Sequence, residues 1–156
     1  MTRQQPLDTL IDLAREARDC AGQVLASERR DQQQVATQLE TLGRYRLEYA
    51  QRLQEAMFSG IDPATMHNYQ AFLRSLDTAL ERARKALDEQ QQRVASSQQH
   101  WQQQQRTLSS YDTLAARRAE QANRREQRRE MRHNDEMAAN ALLRQRERDA
   151  THHSGA

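Results

Sequence analysis

The sequence predicts an all-α protein, a long antiparallel two-helix coiled-coil hairpin in which helix 2 overhangs helix 1. Three observations carry this prediction. Charged residues make up 29% of the 156 and apolar residues only 36%, with a mean hydropathy of -1.12, too little for the core of an ordinary globular domain. Four Gly and two Pro fall far below the usual roughly 7% and 5%, so the chain lacks the punctuation that sheets and multi-element folds need. Gln, Arg, Ala, Leu and Glu, all good helix formers, dominate instead, and apolar residues recur in alternating steps of three and four over two long stretches.

Helix 1 is predicted over residues 6–58. Its series runs Leu7, Leu10, Ala14, Ala17, Ala21 and Val24, passes through polar Glu28 and Asp31, and continues as Val35, Gln38, Leu42, Tyr45, Tyr49, Arg52 and Ala56. A turn is predicted over 59–62. There Gly60 can take the left-handed cap conformation, Ile61 can pack back on the ended helix, and Asp62 can cap a new helix that starts at Pro63. So short a connection sets the two helices antiparallel and side by side.

Helix 2 is predicted over 63–148, with the series Met66, Tyr69, Leu73, Leu76, Leu80, Ala83, Leu87, Gln90, Val94, Ser97, Trp101, Gln104, Leu108, Tyr111 and Ala115. Residues 149–156 are predicted to be a disordered tail, and the whole of 1–156 one hairpin. At 1.5 Å per residue the arms measure roughly 80 and 125 Å, so helix 2 is longer by roughly 30 residues. Opposed residues should have numbers totalling about 121 to 124, which sets Leu7 near Ala115, where the heptads of helix 2 also stop. Beyond lie Arg117, Arg118 and the stretch RREQRREMRHNDEM, where Glu126 repels Glu130 one turn on and fraying is expected when the protein is alone.

The apolar stripe is wider than a two-helix seam needs. Leu39 and Leu53 flank the heptads of helix 1, and Phe72, Ala79 and Ala86 flank those of helix 2, all in the half nearest the turn. The register places Tyr49 near Phe72, Tyr45 near Leu76, Leu42 near Ala79 and Gln38 near Ala83. The resulting patch marks a docking surface or a dimer interface.

Enzyme chemistry is not expected, nor is a cofactor or a metal. Gly22, Gly43, Gly60 and Gly155 are isolated, so no glycine-rich phosphate loop exists. His67, His100, His133, His152 and His153 are scattered without Cys or acidic partners at ligand spacing, and carboxylates on a solvated helix face form no pocket. Lone Cys20 makes no internal disulfide. With no signal peptide and no apolar run near the roughly 18 residues of a span, a soluble cytoplasmic protein is expected. The net charge of +2 is mild, and Glu120, Glu126 and Glu130 interleave the Arg-rich stretch, so nucleic acid is not expected as a partner.

Around the turn, RYRLEYAQRLQEAMFSGIDPATMHNYQAFLRSLDTAL resembles the FliJ family of the flagellar type III export apparatus. The resemblance rests on Tyr45 and Tyr49, on Gly60-Ile61, and on Asn68-Tyr69-Gln70 with Phe72, Leu73, Leu76 and Ala79. The early Leu7, Leu10 and Leu13 and the basic C-terminal arm extend it over nearly the whole chain. It implies a coiled coil like the central stalk of rotary ATP synthases, which binds and stimulates the export ATPase FliI, contacts the export gate FlhA, and escorts export chaperones. It also implies a peripheral position on the cytoplasmic side of the inner membrane at the flagellar base. The gate-binding positions it implies are Gln38, Leu42, Tyr45, Tyr49, Phe72, Leu76 and Ala79. Arg117, Arg118, Arg124, Arg125 and Arg128, at the open end, are expected to pair with acidic loops of the ATPase. Ala83, where relatives can carry His, and the Arg-rich tail ending in THHSGA depart from the family pattern. The alternative is an injectisome stalk or a generic coiled-coil adaptor, which would share the hairpin without needing the NYQxF turn motif.

Small-angle scattering tests the architecture: a rod is expected, and a radius of gyration of about 15 Å, that of a 156-residue globule, would refute it.

Overall fold

The structure is a computed structural model that describes residues 5–155. Two helices account for nearly all of them, α1 (Gln5–Ser59, 55 residues) and α2 (Pro63–His153, 91 residues), and no strand occurs among the described residues. Helix α2 is thus 36 residues longer than α1. Contacts divide the expected single hairpin into two units, one of Thr9–Leu108 and one joining the described residues of Met1–Asp8 and Ser109–Ala156.

The turn lies within the Thr9–Leu108 unit. Gly60 sits at φ 83°, and its N–H donates to the Met57 carbonyl at 3.3 Å, closing the last turn of α1. Asp62 caps α2: its carbonyl accepts the Met66 N–H at 3.1 Å, and its carboxylate accepts the Thr65 hydroxyl. Proline at the first helical position, where no N–H partner exists, completes the start.

Cross-helix contacts fix the register. Arg46 meets Asp77, Glu28 meets Gln90, Tyr49 meets Tyr69 and Phe72, and Trp101 lies against Gly22. The residue numbers in these pairs total between 118 and 123, the antiparallel arrangement that the short turn demands. On α2 every expected seam residue from Met66 to Leu108 is buried or half-buried.

On α1 half of the expected seam is wrong. Ile11, Arg18, Leu25, Gln32, Leu39, Arg46 and Leu53 are buried or half-buried, while Leu10, Ala17, Val24, Asp31, Gln38, Tyr45 and Arg52 are exposed. The steps run four then three, not three then four. The observed choice shields four large aliphatic residues, worth about 1.5–3 kcal/mol each when fully buried, and leaves Asp31, Gln38 and Arg52 in water. Leu39 and Leu53, expected to widen the stripe, belong to the seam itself.

One seam position is polar on both sides. Gln90, 6% exposed, donates through Nε2 to the Glu28 carbonyl at 3.0 Å and to its carboxylate at 2.5 Å. A buried amide with its donors satisfied specifies register, because sliding the helices would leave it unpaired.

In the other unit Leu7 is buried, Tyr111 and Ala115 are half-buried, and every described residue of α2 from Ala116 onward is exposed. The expected tail starts too early, because α2 continues to His153 rather than ending at 148. The Thr151 hydroxyl donates to the Glu147 and Arg148 carbonyls, and the Ser154 hydroxyl donates to that of Ala150, one of the last four carbonyls, which lack an intrahelical partner.

Two glycines give a paired test of the backbone argument. Outside the adjoining backbone and chain neighbours, no heavy atom lies within 4 Å of a Cβ added at Gly60 or at Gly43, so each Gly→Ala change reads chiefly backbone conformation. Gly60→Ala should destabilise the protein by about 1–2 kcal/mol, the cost of a left-handed non-glycine residue, and Gly43→Ala should stabilise it by roughly 0.5–1 kcal/mol. Urea melts that shift in the same direction for both would refute this reading of the turn.

Candidate functional site

Helix periodicity and the short turn bring one aromatic cluster to the surface of the Thr9–Leu108 unit. Tyr49 comes from α1, with Tyr69 and Phe72 from the start of α2. The Tyr49 and Phe72 rings lie 4.3 Å apart at 41°, Tyr69 stands 6.4 Å from Tyr49, and the Arg52 guanidinium sits 5.3 Å from the centre of the Tyr49 ring. Tyr49, Thr65, Asn68, Tyr69 and Phe72 line a shallow hollow of about 180 Å³. Aromatic rings left partly in water beside a cation are the composition of a protein-binding surface.

The seven residues expected at the gate surface separate by environment. Tyr45 is 51% and Phe72 42% exposed, Gln38 is exposed, and Leu42, Tyr49 and Ala79 are half-buried. Gln38 and Leu42 share a second groove with Thr37 and Thr41, of about 350 Å³. Leu76 does not reach the surface: it is 8% exposed and serves the seam. Tyr69 and Arg52 join the cluster although the sequence reading gave them to the seam, and a cation four residues or fewer from an aromatic on one helix was the signal available.

Beside the cluster, Arg46 donates from Nε to Asp77 Oδ1 at 2.8 Å and from Nη2 to Oδ2 at 3.4 Å, a forked pair across the two helices. The hydrogen bond from Arg46 holds the Asp77 carboxyl below the usual range, and the same bond raises the guanidinium. Both side chains remain substantially exposed, which makes the pair a register mark more than a source of stability.

The five arginines expected to face the ATPase lie on α2 in the other unit, and all are exposed. Arg124 pairs with Glu120 at 2.7 Å. His67, His100, His133, His152, His153 and Cys20 are exposed as well. No group of three His, Cys, Asp or Glu among the described residues could hold a metal ion, and none of the helices among them is long and apolar enough to cross a membrane.

Comparison with known proteins places the sequence in a family. A family model described as flagellar FliJ protein matches residues 3–147. The flagellar FliJ protein of Salmonella typhi is 33% identical over 147 residues, 94% of this chain and 100% of the relative; that of Escherichia coli (strain K12) is 32% identical over the same extent. A solved structure from Chlamydia trachomatis, CT670, described as a homologue of YscO, superposes with a TM-score of 0.65 over 90% of each chain at 15% identity, a likeness of fold alone.

Acid titration tests the Arg46–Asp77 pair. Because the folded-state pKa of Asp77 is depressed, its contribution is present above the ordinary carboxyl value of about 3.9 and is lost as the pH falls through the folded value. Asp77→Asn should therefore lower the melting temperature near neutrality and converge with the wild type at strongly acidic pH. A difference independent of pH would refute the pairing.

Proposed function

Because the chain belongs to the flagellar FliJ family, we propose that this component of flagellar protein export is a stalk-like coiled coil with two working regions. The aromatic cluster near the turn binds the export gate, and the arginine-rich segment of α2 binds and stimulates the export ATPase. A chain with these two contacts couples the ATPase to the gate, escorts export chaperones between them, and associates with the membrane-embedded machine from its cytoplasmic side. Such a role is one of binding, with no catalytic step of its own.

The observation that carries the reading is the tilted Tyr49–Phe72 ring contact with 42% of Phe72 still in water. An aromatic side chain held in one orientation by a neighbouring ring binds a partner at low entropic cost. Tyr45 is exposed as well, whereas Leu76 is buried in the seam. The arginine segment supports the second contact, since its cations stand in water on a regular helix and form individually weak, additive pairs.

Gate binding separates these roles. Tyr45→Ala and Phe72→Ala should each weaken binding to the gate's cytoplasmic domain by roughly 1–3 kcal/mol with helicity nearly unchanged. Leu76→Ala should lower the stability of the hairpin by about 2–4 kcal/mol. If Tyr45→Ala and Phe72→Ala unfold the protein, these rings belong to the seam; if they bind the gate normally, the surface is not the gate site.

A further inference from the structure

The arginine segment has an order that the linear sequence conceals. From Arg117 to Arg132 there are seven arginines and three glutamates, a local charge of +4 in a chain whose total is +2, and along the chain the two signs interleave. This stretch is continuous exposed helix. At 3.6 residues per turn, all seven arginines fall within an arc of about 140°, while Glu126 and Glu130 lie on the opposite side and Glu120 at the margin. Arg124 pairs with Glu120; no other arginine of the seven has an ion-pair partner among the described residues. Six unneutralised guanidinium groups therefore line one side of the helix over about 22 Å.

We propose that this face docks on an acidic protein surface from one side only, with Glu126 and Glu130 turned away from it. The inference rests on the reading of the segment as the ATPase contact and adds its geometry. A ring wall touching the helix on every side would meet arginine on one flank and glutamate on the other, so a uniformly acidic wall would attract one and repel the other. Contact along a single acidic strip uses all the cations and spares the anions. Guanidinium forks match carboxylates in bidentate pairs.

Other polyanions fit less well. A helix of about 10–12 Å diameter fills a major groove of about 12 Å and meets phosphates on both flanks, which calls for cations over a wider arc. A lipid surface is held by apolar side chains among the basic ones, and within this arc Gln121 is the one residue besides the arginines.

The test uses the full chain in three forms: wild type, an arginine-face variant with Arg125→Glu, Arg128→Glu and Arg132→Glu, and an opposite-face variant with Glu126→Arg and Glu130→Arg. Circular dichroism checks that helicity is retained. Each is titrated with the purified export ATPase at low and high salt, with poly-L-glutamate, and with phosphatidylglycerol vesicles. The arginine-face reversal should weaken ATPase binding by about 100-fold or more, and wild-type affinity should fall with salt. The opposite-face reversal should stay within about 3-fold of wild type. Equal losses from both faces overturn one-sided docking while leaving the ATPase reading intact. If the wild type ignores the ATPase, that reading fails alone, and poly-L-glutamate binding lost in the arginine-face variant still upholds the acidic-surface inference; no such binding overturns it. Vesicle binding lost with the arginine face while ATPase binding persists assigns the face to lipid and also overturns it.

Discussion

Ile11, Leu25, Leu39 and Leu53 have to be shielded from water by a single neighbouring helix, and the rest of the Thr9–Leu108 unit follows from how that is done. Each has a competitor one residue earlier: Leu10, Val24, Gln38 and Arg52. Only one member of each pair can face α2. Rotating α1 toward the competitors would bury Asp31, Gln38 and Arg52 against an apolar stripe, and burying charges without partners costs more than two aliphatic side chains return. The rotation observed leaves Asp31, Gln38 and Arg52 in water, and the two cations it half-buries, Arg18 and Arg46, are paired with Asp19 and Asp77.

That rotation also decides which polar residues meet across the seam. It brings Glu28 to Gln90 and Arg46 to Asp77, two specific pairs across the helices that mark the register. It equally decides what stays outside. Tyr45 projects into solvent, and Tyr49 lies at the edge where Phe72 can stack on it. The proposed gate surface thus borders the seam: Tyr49 and Tyr69 are half-buried at its edge, and Tyr45 and Phe72 are rings the hairpin leaves outside. Farther along α2, where α1 supplies no partner, the same helical period sorts charge, gathering arginines on one side.

Much of this was legible in the sequence, for physical reasons that can be named. The turn was, because Gly60, Asp62 and Pro63 each have few alternative uses. The seam of α2 was, because its heptad positions from Leu73 to Leu87 are all leucine or alanine and the larger apolar side chains fall on them, Phe72 excepted. The seam of α1 was legible only at every second position: a seven-residue repeat leaves steps of three and four indistinguishable where Leu10 adjoins Ile11 and Val24 adjoins Leu25. The mistake made Leu39 and Leu53 look like surplus and Tyr45 like core. Tyr45 still entered the candidate surface through the register and the family resemblance, while Leu76 entered it although it is buried. The end of α2 was misplaced because composition does not report how the Ser154 hydroxyl caps the Ala150 carbonyl.

The central claim is that Leu25 and Leu39 fill the seam while Tyr45 and Phe72, left outside it, form the proposed gate surface. It is tested most directly by thiol labelling in a Cys20→Ser background. Single substitutions Tyr45→Cys, Phe72→Cys, Val24→Cys, Leu25→Cys and Leu39→Cys are labelled with and without the gate's cytoplasmic domain. The account predicts fast labelling at 24, 45 and 72, slow labelling at 25 and 39, and protection by the gate at 45 and 72 alone. Fast labelling at 25 and 39 with slow labelling at 24 and 45, or protection that spares 45 and 72, would contradict it.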